Sequence, residues 1–173
     1  MRWYWIDRYT EFVRGKRAKA IKNISLAEEH LHDHFKYFPV MPHSLVVEGV
    51  AQTGGLLISE YNQCREQVVL AKIVKAIFYC EAYPGDQLTY TVYVDNINEK
   101  GASITATSHK GDVLHAEFEM MFAHLDPADW NKELFTVREY RHLLHSFHVY
   151  EVGVNEDGTP LSEPECFRRL DEA

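Results

Sequence analysis

At 173 residues, 46% of them hydrophobic and 13% aromatic, the chain has the makings of one globular domain with a real core plus an appendage, which excludes a disordered polymer. A net charge of −8 argues against nucleic acid as the main partner, and no run of about 18 apolar residues exists to insert into a membrane. Three cysteines, Cys64, Cys80 and Cys166, fit neither a disulfide framework nor a zinc ribbon, and suit a reducing compartment, so a cytoplasmic location is expected.

The opening Met1–Arg8 lacks the apolar core and cleavage site of a signal peptide. Residues 1–22 carry a net +5 against −13 in the remainder, which reads as a solvated strand face or as a docking patch for an acidic partner. Residues 9–13 and 18–24 read as two short strands, with Gly15-Lys16 as the turn. Ser25 and Glu28 have capping-box spacing and predict a single helical turn. An irregular stretch rich in His, Phe and Tyr follows, from His30 to Met41. Pro42 then suits the first turn of a helix over about 44–62 that is apolar on nearly every side and therefore expected to be buried.

From residue 68 the apolar period changes from 3.6 to 2. Strands are expected over 68–79, from Leu88 through Asp95, over 102–109 and over 113–123, with turns at Tyr83–Asp86, Asn98–Gly101 and Lys110–Asp112. The economical arrangement is α+β, an antiparallel sheet wrapped around one long buried central helix. Asp126-Pro127 opens a second helical signal, amphipathic through Trp130, Leu134, Val137, Arg141 and Leu144 to about Phe147. The expected organisation is a main domain over 1–125, a C-terminal helical extension over 126–150 and an acidic, irregular tail over 151–173.

Glu48 is the anomaly of the central helix. A carboxylic acid buried there has a raised pKa and can stay protonated near neutrality, although a structural Glu bonded to backbone or Tyr fits burial equally well. His34 lies fourteen residues earlier at the head of the aromatic loop; taken alone it suits a packing role as well as a base. Other histidines invite a metal. His30, His32 and His34 fall one residue short of a metallohydrolase spacing, and His142, His145 and His148 are expected at an exposed helix edge, so no metal site is expected.

The run from His34 to Gln52, HFKYFPVMPHSLVVEGVAQ, resembles the signature of the 3-hydroxyacyl-acyl carrier protein dehydratases, roughly H-F-P-G-x-P-V-M-P-G-x-L-x-x-E-A-x-A-Q. Ile6–Arg8 with Gly15–Arg17 and Ala20–Asn23 resembles the family's opening hairpin, Pro84–Leu88 its second strand turn and Ala116–Ala123 its last strand. The resemblance implies the hotdog fold. It also implies dehydration of 3-hydroxyacyl thioesters to trans-2-enoyl thioesters, with His34 as base and Glu48 as acid. His43 would offer its backbone N–H to the thioester oxygen, Val40 its carbonyl to the imidazole, and Gln52 would support Glu48; Phe35, Phe38 and Met41 complete the expected substrate-binding set. No cofactor is implied beyond the phosphopantetheine of acyl carrier protein, which brings the substrate. A homodimer or trimer of dimers is implied, because His and Glu of one site come from different protomers in the family. Two departures stand out: Lys36-Tyr37 replaces the family's Pro-Gly, and His43 replaces a Gly. A hotdog thioesterase and a non-catalytic acyl-binding or assembly subunit remain the alternatives.

Overall fold

The structure, a computed structural model, describes residues 4–125 and 135–168. It opens with a hairpin of β1 (Arg8–Val13) and β2 (Arg17–Asn23). Gly15 makes the turn with φ +66°, and a Cβ there would meet Tyr61 Cδ2 at 2.5 Å, so both backbone and packing require glycine. Beyond it Glu28 Oε1 accepts from Ser25 N–H at 3.0 Å, while the Ser25 hydroxyl accepts from Ala27 N–H. That pairing tightens a turn before the one-turn helix α1 (His30–Asp33) instead of capping it.

The long helix α2 (His43–Tyr61) packs against β2 and against β3 (Gln67–Phe78), β4 (Gln87–Asn98) and β5 (Gly101–Lys110). With β6 (Val113–Leu125) and the short β7 (Gly153–Val154) these strands belong to one seven-stranded sheet ordered β3-β6-β5-β4-β2-β1-β7. Alternation puts Leu88, Tyr90 and Val92 of β4, Ile104 and Ala106 of β5, and Phe118, Met120 and Phe122 of β6 in the core against Val46, Val50, Leu57 and Ile58 of α2.

Two features depart from a simple antiparallel meander. A register shift in the β5–β6 pairing at Ser108/His109 leaves His115 without an opposite partner, and both His115 and Ala116 are buried. The second lies in the C-terminal part. There α3 (Val137–Ser146) leads through α4 (Val149–Val152) into β7 (Gly153–Val154), which pairs in parallel with β1 at Phe12↔Gly153 and Val13↔Val154. The tail also carries α5 (Glu165–Arg168), and it buries Leu161 and Phe167, so a largely irregular segment is nonetheless anchored in the core. The helix expected from Asp126 begins in residues outside those described. Its described part starts afresh at Thr136, whose hydroxyl accepts from Glu139 N–H while Glu139 Oε2 accepts from Thr136 N–H at 2.8 Å, a reciprocal box that the sequence reading passed over.

Where α2 crosses the sheet, Gly49 is in close contact with both Tyr90 and the segment that precedes β1. A Cβ would fall 2.6 Å from Tyr90 Cε2 and 2.7 Å from the Trp5 carbonyl oxygen. Alanine gains about 1 kcal/mol in helix propensity, but overpacking against a backbone atom costs about 1–3 kcal/mol. Gly49→Ala is therefore expected to lower the urea midpoint without changing the slope; an unchanged or raised midpoint would show that Trp5 yields freely.

Candidate active site

Loop 34–41 leaves α1 and enters α2, and hydrogen bonds close it on itself. Val40 N–H donates to His34 O at 2.9 Å, His34 Nδ1 lies 3.2 Å from Val40 O, and Phe35 and Phe38 exchange backbone hydrogen bonds of 3.1 and 2.9 Å. A carbonyl oxygen can only accept, so Nδ1 carries a proton, and in the neutral imidazole Nε2 is the nitrogen with the free lone pair. The His34–Phe35 peptide is cis, and the two rings stack at 4.4 Å. Val40 and Met41 are buried in the core, whereas Phe35, Tyr37 and Phe38 are 57%, 90% and 59% exposed, so the loop projects its aromatic rings outward.

Glu48 is not buried as the sequence led one to expect. Ser44, Glu48, Gln52 and Gly55, spaced by four, four and three, form one stripe of α2, and within the single chain Glu48 stands exposed on it. Its environment is nevertheless specific. Trp5 N–H donates to Gln52 Oε1 at 2.9 Å, which turns Gln52 Nε2 towards Glu48 Oε1 at 3.0 Å. The amide thus fixes Oε1 as an acceptor and leaves Oε2 as the oxygen able to carry a proton.

His43 begins α2, so its N–H is one of those a helix leaves without an internal acceptor, at the positive end of the helix dipole. Its imidazole turns aside, stacked on Phe78 at 3.8 Å and 3.1 Å from Glu81 Oε2. The bulk introduced at the family's Gly position is therefore directed along β3 and away from the N–H.

A cavity of about 520 Å³ opens beside α2, with Glu48, Gln52 and Ser59 in a lining that is otherwise mostly aliphatic and aromatic. None of residues 34–41 lines it. The structure thus joins His34 to Val40 and Glu48 to Gln52, and does not bring the two pairs into one cavity of one chain.

Two buried ionisable residues escaped the sequence reading. Glu60, three and four residues after Leu57 and Leu56, follows them onto the inner face of α2. Arg14 Nε approaches its Oε2 at 3.3 Å, yet among the described residues no hydrogen bond reaches either carboxylate oxygen, and burial pushes its pKa up to about 7. The spacing from Leu56 and Leu57 was the available signal. His115 had none, because a register irregularity does not show in an alternation pattern; it meets Ser108 Oγ at 3.0 Å through Nδ1, and burial pushes its pKa down to about 4. Of the C-terminal histidines, His145 and His148 pair with Glu163 and Glu151 at 2.7 and 2.8 Å, and His142 lies 3.5 Å from Ser146 Oγ. Among the described residues no group of three or more His, Cys, Asp or Glu side chains is arranged to hold a metal ion, and no helix is long and apolar enough to cross a membrane.

The FabA-like domain model matches residues 3–116. Over 114 residues the chain is 39% identical to the 3-hydroxyacyl-acyl-carrier-protein dehydratase FabZ of Koribacter versatilis, covering 65% of this chain and 73% of that protein. The enzyme of the same name from Clostridioides difficile is 34% identical over 119 residues, 68% of this chain and 84% of its own. That of Bacillus subtilis is 43% identical over 91 residues, 51% and 64%. Among solved structures, the fluoroacetyl-CoA thioesterase FlK superposes with a TM-score of 0.59 at 16% identity, over 68% of this chain and 91% of that one. A conserved protein of Pseudomonas aeruginosa gives 0.56 at 19%, over 68% and 87%. At such identities the structural likeness speaks to the fold alone, which is the hotdog fold. The sequence matches go further: spanning more than half of the chain, and with it the His34–Gln52 run, they make this protein a member of the FabA-like family.

Proposed function

We propose that the protein is a hydro-lyase that dehydrates 3-hydroxyacyl thioesters, carried on acyl carrier protein, to trans-2-enoyl thioesters in fatty acid synthesis. The observation that carries this is the pair of differently prepared groups: an imidazole whose Nδ1–H is tied to Val40 O, and a carboxyl whose Oε1 is held by the Gln52 amide. Elimination needs both. His34 Nε2 takes a proton from the carbon next to the thioester carbonyl, and those electrons form the new double bond. The bond from the neighbouring carbon to its hydroxyl breaks as Glu48 Oε2 delivers a proton, and water leaves. Negative charge gathering on the thioester oxygen is met by the His43 N–H at the start of α2.

A second copy of the chain completes the site, with His34 of one protomer facing Glu48 of the other. Three features support this: the separation of the two pairs in one chain, the aromatic rings projecting from loop 34–41, and the edge strand β3. That strand runs twelve residues and exposes Ile73, Val74 and Ile77, an edge suited to pairing with another chain. The three free cysteines support a cytoplasmic setting.

Wild-type protein is expected to hydrate a trans-2-enoyl thioester, the reverse reaction, read as loss of enoyl absorbance with no thiol released. Thiol release without hydration would identify a thioesterase, and neither change on any acyl carrier would leave a binding subunit.

A further inference from the structure

We propose that the C-terminal extension forms the far wall of the acyl cavity, so that residues beyond the family match set the length of chain the site accepts. The inference rests on the dehydratase assignment for the identity of the ligand. Glu48 marks the reacting end of the cavity of about 520 Å³, a size in the usual range for small-molecule sites of about 300–1,000 Å³. Besides residues of α2 and β3, the lining includes Phe135, Tyr140, Leu143 and Phe147. Tyr140 and Leu143 of α3 and its C-cap residue Phe147 fall at helical spacing on one stripe, and all are buried. None of the four lies within residues 3–116, which carry the family match.

The wall is built as a fixed element. The Gln67 side chain clasps the Phe135 backbone, Nε2 donating to Phe135 O and Oε1 accepting from Phe135 N–H, each at 2.9 Å. The Thr136–Glu139 box then starts α3 at the next residue. At the other end Phe147 O accepts from Tyr9 N–H of β1 at 2.9 Å, and the Phe147 ring meets Tyr4 edge-on at 5.3 Å. A helix held at both ends and presenting aliphatic and aromatic groups to a cavity that also holds an exposed carboxyl suits a hydrocarbon chain whose polar head reacts at that carboxyl.

The test compares wild type with Leu143→Ala, Phe135→Ala and Leu143→Trp. Two series are measured: kcat/KM for trans-2-enoyl thioesters of four to sixteen carbons relative to the four-carbon substrate, and calorimetric binding of alkyl-pantetheine thioethers of the same lengths, which needs no turnover. Either alanine variant is expected to move the upper length limit outward by two or more carbons. The relative value at the first length that wild type rejects should rise by roughly tenfold or more, the scale of a methylene's fit in an apolar pocket. Leu143→Trp should move the limit inward. Phe135, half-buried, keeps the test alive if Leu143→Ala does not fold. Length limits that coincide in wild type and both alanine variants would overturn the wall, as would failure to bind any thioether. Thioether binding with a limit that moves in the variants, but no hydration by wild type, would uphold the wall and sink the dehydratase assignment instead.

Discussion

His34→Ala and Glu48→Gln are each expected to lower kcat/KM for enoyl-thioester hydration by about a hundredfold or more, about 2.7 kcal/mol of transition-state stabilisation, with the fold intact. Neither side chain holds the structure together. His34 contributes a single side-chain hydrogen bond in a loop also closed by its backbone, and Glu48 stands on the open stripe of α2. Glu48→Gln keeps shape and removes the transferable proton, so its loss should appear in kcat more than in KM. Co-expressing the two variants adds a test of where the groups come from. If the site is shared between protomers, a mixed dimer has one site lacking both groups and one complete site, and activity recovers to about a quarter of wild type for random pairing. If His34 and Glu48 act within one chain, every site lacks one group and the mixture stays dead. Wild-type rates in both single variants would remove this pair from the mechanism altogether.

The second large effect concerns stability. Glu60 has a pKa of about 7 in the folded protein against an ordinary value of 4.5, raised by burial and only partly restrained by Arg14. Between those values the folded state holds a proton that the unfolded chain has released, so stability must fall as pH rises through this window. Above it the loss levels off at about 3 kcal/mol, taking 1.36 kcal/mol per pKa unit. Glu60→Gln keeps the shape and removes the titration; the unpaired Arg14 adds an offset that does not vary with pH. Urea unfolding from pH 5 to pH 8 is expected to show the wild-type curve falling relative to the variant's by about that amount. Parallel curves would mean that Glu60 is solvated or fully ion-paired in solution.

The sequence was most informative where a pattern repeats or a turn needs a particular residue. The period-two alternation of β4 and β6, the Gly15 turn and the apolar run of α2 all locate their elements to within a residue or two, except that β4 runs three residues beyond the expected Asp95. It misled on Glu48, because counting apolar residues around α2 hides a stripe only four residues long, and because burial of that stripe depends on what faces it. For Glu60 the same spacing argument, carried three turns further along α2, would have sufficed. β7 could not have been anticipated: two residues have no period, and its parallel pairing with β1 is decided by where α3 and α4 deliver the chain. The projecting loop and the inward Val40–His34 contact were legible only through resemblance, since nothing in the spacing of one His and one Glu says that they cooperate.

The parallel strand β7 also gives the sheet two unlike ends. Val154 is bridged on its outer side by Pro160, a residue with no N–H to offer a further strand, in a segment that folds back against Leu161 and Gly153. At the opposite end β3 presents a full twelve-residue edge. Strand addition is therefore favoured at one end and blunted at the other. Two copies joined edge to edge through β3 would bury these receptive borders against each other, leaving proline-terminated rims outside. Such growth stops at a pair, whereas a sheet receptive at both ends could polymerise without limit.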